Sequence, residues 1–148
     1  MSEFKVPVCL VTKVEQHPNR EGLSLVHVNN QVVISSKLDD GSYRYKEGQM
    51  VFYVPEGAIV PQYLLKQGYW NEERGKGLLG GNQGNRVKAI KLGDVVSIGI
   101  IFPVETYSGR DDVDFKYTLS NEHDFTLYVE EGDDVADFLG IEEYVLTK

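Results

Sequence analysis

Apolar and polar residues alternate along much of the first hundred residues, a pattern that indicates short β-strands separated by turns. The Asn29-Asn30 pair between two such stretches is typical of a two-residue hairpin turn. Pro7 places the start of the first stretch at a sheet edge or a bulge. The predicted strands cover residues 4–15, 23–28, 31–35, 50–54, 86–91 and 95–102, with a further strand at 125–129.

Two short helices interrupt this β pattern. Residues 61–68 begin with a proline, which suits a first helical turn, and end with a glycine, which suits a C-terminal cap. Residues 133–139 form a second helix that ends at Gly140. The segment between the last two strands is expected to be a polar connection, and residues 141–148 are expected to be a linker.

The element order predicts a mainly β fold. Five or so short strands with one small helix before the last pair favour a five-stranded Greek-key barrel of the oligonucleotide-binding (OB) type, with a second helix near the C-terminus. A β-sandwich is the alternative. We expect the barrel to span residues 1–103 and an acidic extension with its helix to span residues 104–148.

Charge is distributed unevenly, although the whole chain carries −8. Residues 1–102 contain 12 Lys and Arg against 10 Asp and Glu, whereas residues 103–148 contain 3 against 13. The acidity therefore belongs to the C-terminal part. The single Cys9 lies in an apolar run and is expected to be a core residue of a protein in a reducing compartment. With neither a signal peptide nor an apolar run of about 18 residues, a cytoplasmic protein with no membrane partner is expected.

Basic residues concentrate between Lys66 and Gly93, and five of them are candidate contacts to a nucleic-acid backbone. In the stretch 86–91 they alternate with apolar residues, so one strand face would enter the core and the other would carry positive charge. Lysines that merely keep a strand soluble are the alternative. The candidates are Arg74, Lys76, Arg86, Lys88 and Lys91.

The glycine-rich segment 71–85 carries the first two of these candidates. It lacks the spacing of an ATP-binding phosphate loop, so we expect either a flexible arm that folds onto phosphates or a disordered loop. Tyr43 and Tyr45 are the best-placed pair for stacking on bases, with core or hairpin packing as the favoured alternative. Tyr69-Trp70 is expected to close one end of the barrel.

Catalytic and metal sites are not expected in this chain. Nucleotidyl ligases use a Lys-x-Asp-Gly motif, but one residue too many separates Lys37 from Gly41, so a turn with a solvent-exposed lysine is expected there. The three histidines are far apart in sequence, and no spacing fits a zinc site. The acidic cluster at residues 111–114 lacks the pattern of a calcium loop.

Several short motifs follow one another along the chain. They are His17-Pro18-Asn19, Lys46-Glu47-Gly48-Gln49 before Val51-Phe52-Tyr53-Val54, Gly57-Ala58-Ile59-Val60-Pro61, residues 86–93, Ser97-Ile98-Gly99-Ile100-Ile101, Glu131-Gly132-Asp133-Asp134-Val135, and Leu139-Gly140-Ile141 to Tyr144. Taken in this order, they resemble the N-terminal OB-fold domain of ATP-dependent RNA ligases of the Deinococcus and Naegleria type, and the resemblance covers nearly the whole chain.

This resemblance implies a domain that grips RNA or a nicked duplex beside the 3′-OH of the break. Lysine adenylylation and strand joining, with ATP and a divalent metal, would belong to a C-terminal nucleotidyltransferase domain, so this chain alone would have no cofactor. The chain is also similar to the tRNA-binding domains appended to some aminoacyl-tRNA synthetases, although the 71–85 insertion and the C-terminal helix favour the ligase domain. A protein-interaction or domain-docking module is the remaining alternative.

Overall fold

The computed structural model describes residues 4–67, 69–81, 83–106 and 117–144. Strands dominate it, and the two helices have four residues each. The elements are β1 (Val8–Leu10), β2 (Lys13–Gln16), β3 (Leu23–Val28), β4 (Gln31–Ser36), β5 (Met50–Val54), β6 (Ala58–Ile59), α1 (Gln62–Leu65), β7 (Trp70–Asn71), β8 (Lys76–Gly77), β9 (Ile90–Leu92), β10 (Val95–Ser97), β11 (Ile100–Pro103), β12 (Glu105–Thr106), β13 (Tyr117–Ser120), β14 (Thr126–Val129), α2 (Ala136–Leu139) and β15 (Glu142–Glu143).

Two antiparallel three-stranded sheets form the centre of the fold, in the orders β1-β5-β11 and β2-β3-β4. Smaller antiparallel units surround them: the hairpins β7-β8 and β9-β10, the pair β6-β15, and the sheet β12-β13-β14. The mainly β class predicted from the sequence is therefore confirmed. No helix in the described part of the chain is long and apolar enough to cross a membrane.

Bent segments connect the two central sheets at both edges. Val11 and Thr12, between β1 and β2, donate their N–H groups to Gln49 and His27 respectively, each at 2.9 Å, and so join different sheets. At the other edge β10 lies beside β4, where Ser97 Oγ accepts the N–H of Ile34 at 2.9 Å. No continuous ladder closes the described strands into one barrel. The observed sheets thus differ from the closed five-stranded barrel expected from the sequence.

Strand β5 divides the core because it is buried on both faces. Successive side chains of a strand point to opposite sides. Phe52 accordingly enters a large cluster that includes Phe102, whereas Val51 enters a smaller cluster with Ile101. Cys9 belongs to the smaller cluster, which confirms its predicted core position. Burial raises the pKa of the Cys9 thiol to about 11.

The acidic C-terminal segment shares the larger cluster. Val135, Leu139 and Ile141 pack there together with Phe52. The Asp134 carboxylate accepts the N–H of Val6 at 3.0 Å, which attaches this segment to the beginning of the chain. One core therefore receives side chains from both sides of the predicted boundary at residue 103.

Local turn and cap predictions agree with the structure. Asn29 and Asn30 have φ of 49° and 61° and join β3 to β4 as a two-residue turn. The predicted helices at 61–68 and 133–139 are present in shorter form as α1 and α2, and Gly140 ends α2 with φ of 77°. These features depend on conformations that the local sequence selects.

Predictions for the last third of the chain were less accurate. Residues 141–144 are not simply a linker, because Ile141 is buried and Glu142–Glu143 pairs with β6. Residues 145–148, the rest of the predicted linker, lie outside the described residues. The expected polar connection contains β12 and β13, and β13 buries Leu119. The predicted strand at 125–129 is confirmed as β14. The acidic cluster at 111–114 lies outside the described residues.

Candidate nucleic-acid interface

The glycine-rich segment is folded back on itself and held by main-chain hydrogen bonds. Leu79 donates to the carbonyl of Gly84 at 2.9 Å, and Gly80 exchanges hydrogen bonds with Arg86 at 2.8 and 3.0 Å. A Cβ built on Gly84 would lie 1.9 Å from the carbonyl oxygen of Gly77, so the two glycine backbones are in direct contact. The prediction of a flexible arm or disordered loop was therefore wrong for the described residues of this segment.

Arg86 and Lys88 meet at the edge of this folded segment. Arg86 forms bridges to both Ile59 and Gly80, and its guanidinium lies 4.5 Å from the ring centre of Tyr144. The aliphatic part of Lys88 covers Gly80, since a Cβ there would lie 2.5 Å from Lys88 Cδ. Arg86 is half-buried and Lys88 is exposed. The structure thus brings two of the five predicted basic residues together.

Arg74 and Lys76 lie on the preceding β7-β8 hairpin. Arg74 is exposed in its turn, and its N–H donates to Asn71 Oδ1 at 3.2 Å. Lys76 is half-buried and lines a cavity of about 230 Å³ together with Gln83 and Glu142. The negative charge of Glu142, from β15, therefore lies in the same cavity as Lys76. This negative charge makes the cavity less attractive to phosphate.

Lys91 lies on a separate hairpin, where the predicted alternation is wrong. Residues 86–89 form no named strand, and Ile90 is 50 % exposed rather than directed into the core. Lys91 pairs with Val96, which is 48 % exposed. Only Val87 is fully buried among the apolar residues of this stretch. The alternation fails because, within the described residues, no sheet or helix covers Ile90 and Val96 of the β9-β10 hairpin.

His17 and Asn19 fix this hairpin to the loop at residues 17–22. The buried His17 ring places Nε2 at 2.8 Å from the Leu92 carbonyl and accepts the N–H of Asn19 on Nδ1 at 3.0 Å. Asn19 Oδ1 in turn accepts the N–H of Asp94 at 3.0 Å. The two contacts of the His17 ring indicate that its imidazole carries a proton on Nε2. The His17-Pro18-Asn19 motif therefore has a structural role that its sequence position alone did not reveal.

A groove of about 810 Å³ contains basic residues that sequence reasoning missed. Arg20 and Lys37 line it, as do the acidic residues Glu21 and Asp39. Lys37 is half-buried, and its Nζ hydrogen-bonds to the side-chain oxygen of Gln16. It is therefore a groove residue rather than a purely solvent-exposed lysine. Only the folding of two distant loops against each other reveals this position, since no local spacing signals it.

The aromatic pair proposed for base stacking is divided between surface and interior. Tyr43 is 40 % exposed, whereas Tyr45 is 6 % exposed and packs in the smaller core cluster. Burial raises the pKa of Tyr45 to about 12. Tyr69 packs edge-on against Phe102 with ring centres 5.3 Å apart. Core packing is thus the observed role of Tyr45 and Tyr69. Tyr43 is the exposed member of the predicted pair, and Lys37 Nζ lies 5.6 Å from its ring centre.

Metal-binding clusters are absent from the part of the chain that the structure describes, since no three His, Cys, Asp or Glu residues come together there. His27 instead lies 2.6 Å from Glu15, and this hydrogen bond lowers the pKa of the Glu15 carboxyl.

Solved structures of an RNA ligase from Naegleria gruberi are similar to this chain. No family model and no curated protein matches the sequence. A mutant of that ligase in its apo state aligns with a TM-score of 0.62 at 16 % identity, covering 99 % of this chain and 37 % of the ligase. The ligase with pyrophosphate gives 0.61 at 14 % identity, with the same coverage of each chain.

A third structure, a mutant of the same ligase with ATP and manganese, aligns at 0.60 with 16 % identity, again over 99 % of this chain and 37 % of the ligase. At such identities the likeness concerns the fold. The chain therefore has the fold of one part of an RNA ligase and spans little more than a third of that enzyme's length.

Proposed function

We propose that this chain is a nucleic-acid-binding N-terminal domain of an ATP-dependent RNA ligase that seals breaks between a 3′-OH and a 5′-phosphate. The observation that carries the proposal is the alignment of nearly the whole chain with one part of the Naegleria gruberi RNA ligase. In this proposal a C-terminal nucleotidyltransferase domain binds ATP and a divalent metal and joins the strands. The chain described here would bind RNA or a nicked duplex, in the cytoplasm.

An OB-type architecture is part of the proposal, and the bent segments support it. The chain passes from one central sheet to the other at Val11-Thr12, and again between β10 and β11. At the second bend, Gly99 has φ of 94° and leaves no room for a Cβ beside Tyr53. Strands shared between two sheets at opposite edges are how a small Greek-key barrel is built, and such barrels bind oligonucleotides on one face and its flanking loops.

Five basic residues would contact the phosphate backbone in this function. Contacts of this kind give affinity without sequence choice, and they weaken steeply as salt rises. Three of them, Arg74, Lys88 and Lys91, are exposed. The other two, Lys76 and Arg86, are half-buried beside β6 and β15.

The test is the salt dependence of binding to a nicked RNA duplex. Changing Lys88 and Lys91 together to Ala is expected to weaken binding and to reduce the slope of log K against log salt by about 1.4 to 1.8, because each lost phosphate contact removes roughly 0.7 to 0.9. The matched control changes Lys13 and Lys46 to Ala, which removes the same charge from exposed positions elsewhere. An equal loss in both double variants would refute the assignment of these residues.

Arg86 requires a separate variant because its guanidinium also packs on Tyr144. Arg86→Gln is expected to weaken RNA binding, and its melting temperature must be measured beside it. If binding falls only in proportion to a loss of folded protein, Arg86 is structural rather than a phosphate contact.

A domain-docking module is a second candidate, favoured by the surface of the acidic segment. Phe125 is 66 % exposed between β13 and β14, with the exposed acidic residues Glu122 and Asp124 beside it. An exposed apolar ring in an acidic stretch of chain suits a basic protein surface better than RNA. The same titration distinguishes the two functions, because a pure docking module shows no RNA binding even at low salt.

A further inference from the structure

A small polar cavity at the end of β4 has a composition that none of the other described cavities shares. Its walls come from the end of β4, from Arg44 and Tyr45, and from Gln67 and Tyr69 after α1. Its volume of about 110 Å³ is several times the ~30 Å³ of one water in the liquid, so a four-oxygen anion fits. The cavity lies outside the group of five basic residues discussed above.

Charge distinguishes this cavity from four others on the described part of the surface. Those four each have at least one carboxylate in their walls, from Glu21 and Asp39, from Glu131, from Glu142, or from Glu56 and Glu143. The cavity at Arg44 has none. Arg44 is exposed. A cation without a neighbouring carboxylate attracts an anion more strongly than one whose charge is already balanced.

The Arg44 guanidinium has donor capacity left over. Its Nε donates to the Ser36 carbonyl at 3.3 Å and one terminal nitrogen reaches Ser36 Oγ at 3.5 Å, both long for such bonds. It forms no ion pair with any carboxylate that the structure describes. Arginine has five N–H donors in a planar fork suited to phosphate. The Ser36 hydroxyl and the Gln67 amide add neutral donors in the same walls, whereas the Ser35 hydroxyl donates to the Ser36 carbonyl at 3.3 Å.

Arg44 also acts on the two tyrosines in the cavity walls. Burial raises the pKa of Tyr45 to about 12, and the positive charge of Arg44 opposes that rise. Burial also raises the pKa of Tyr69, and Arg44 again acts in the opposite direction. Both hydroxyls donate to the Ile101 carbonyl, at 3.4 and 3.2 Å respectively.

We propose that this cavity is a phosphate-binding site in which Arg44 holds the anion and Ser36 and Gln67 complete its hydrogen bonds. The phosphate belongs either to a terminal phosphate of RNA or to a free mononucleotide. The RNA case rests on the proposed function; binding of a free phosphate does not.

The first experiment uses inorganic phosphate and the ¹⁵N-labelled 148-residue chain. Saturable shifts of the Arg44 Nε–H and the Ser36 amide are expected with phosphate, and not with chloride at equal ionic strength. Arg44→Gln should weaken phosphate binding at least about tenfold, since a hydrogen bond to a charged group is lost. Lys46→Gln, which removes a nearby exposed charge, should leave it unchanged. Equal shifts in chloride, or no effect of Arg44→Gln, would overturn the site.

A second experiment identifies the source of the phosphate. A 5′-phosphorylated RNA that binds more tightly than its 5′-hydroxyl counterpart, with the gain lost in Arg44→Gln, assigns the site to a strand end. Adenosine monophosphate that competes with inorganic phosphate, without any gain from RNA phosphorylation, assigns it to a mononucleotide. If the chain binds no RNA at all, the proposed ligase function fails while the phosphate titration still decides the site.

Discussion

The contact between Gly77 and Gly84 offers a direct test of how the basic segment is held. Gly84 has φ of +67°, and a Cβ there would lie 1.9 Å from the Gly77 oxygen. Gly84→Ala therefore carries two energetic penalties. The alanine side chain would have to adopt a left-handed backbone conformation, and its Cβ would collide with the Gly77 backbone, which cannot move aside by a rotamer change. Two other glycines separate these penalties. Gly75 has φ of +65° with open space around it, whereas Gly77 has the collision without a positive φ.

The magnitudes follow from these geometries. A side chain in the left-handed region costs about 1–2 kcal/mol, which is the full expectation for Gly75→Ala. Overpacking costs about 1–3 kcal/mol, so Gly84→Ala should lose about 2–5 kcal/mol if the two penalties add. With a urea dependence of about 2 kcal/mol per molar, the unfolding midpoint should fall by roughly 1 to 2.5 M for Gly84→Ala and by about 0.5 to 1 M for Gly75→Ala.

Urea unfolding followed by Trp70 fluorescence and by far-ultraviolet circular dichroism measures these shifts. Gly77→Ala should fall in the range expected for overpacking alone. Should Gly84→Ala prove no more destabilising than Gly75→Ala, the glycine contact would not exist in solution. The basic segment would then be the flexible arm that its composition first indicates.

Three further predictions concern the core and two titrating groups. Phe102→Ala removes a ring stacked on Phe52 at 5.1 Å and should cost about 3–5 kcal/mol in urea unfolding. Cys9, whose thiol pKa is raised to about 11, should react with a disulfide reagent at pH 8 far more slowly in the folded than in the urea-unfolded chain. His27→Ala should return the lowered pKa of Glu15 towards its ordinary value in an NMR titration. Because this pKa is lower in the folded state, its contribution to stability is present above the unfolded pKa and is lost as pH falls through the folded one.

Local sequence determined the features that depend on only a few neighbouring residues. The Asn29-Asn30 turn, the glycine that ends α2, and the fully buried β5 were each predictable, because turn chemistry, capping and an uninterrupted apolar run act over short distances. The mainly β class follows from the same patterns. Cys9 was placed correctly in the core for the same reason.

Long-range packing decided what local patterns could not. Alternation at residues 86–91 indicated a half-buried strand, but burial requires a covering element, and the β9-β10 hairpin has none over Ile90. The glycine-rich segment has a composition that favours disorder, yet its glycines allow the close contact of Gly77 with Gly84. Composition alone cannot tell whether a glycine is present for conformational freedom or because another backbone segment lies against it.

The candidate sites show the same division. The sequence by itself determined which residues carry positive charge and that the acidity belongs to the C-terminal third. Only the tertiary structure decided that Arg86 lies against Tyr144 and that Glu142 shares a cavity with Lys76. It also left Arg44 in a cavity without a carboxylate. The physical reason is that electrostatic attraction depends on distance and burial in three dimensions, and residues far apart in sequence set both.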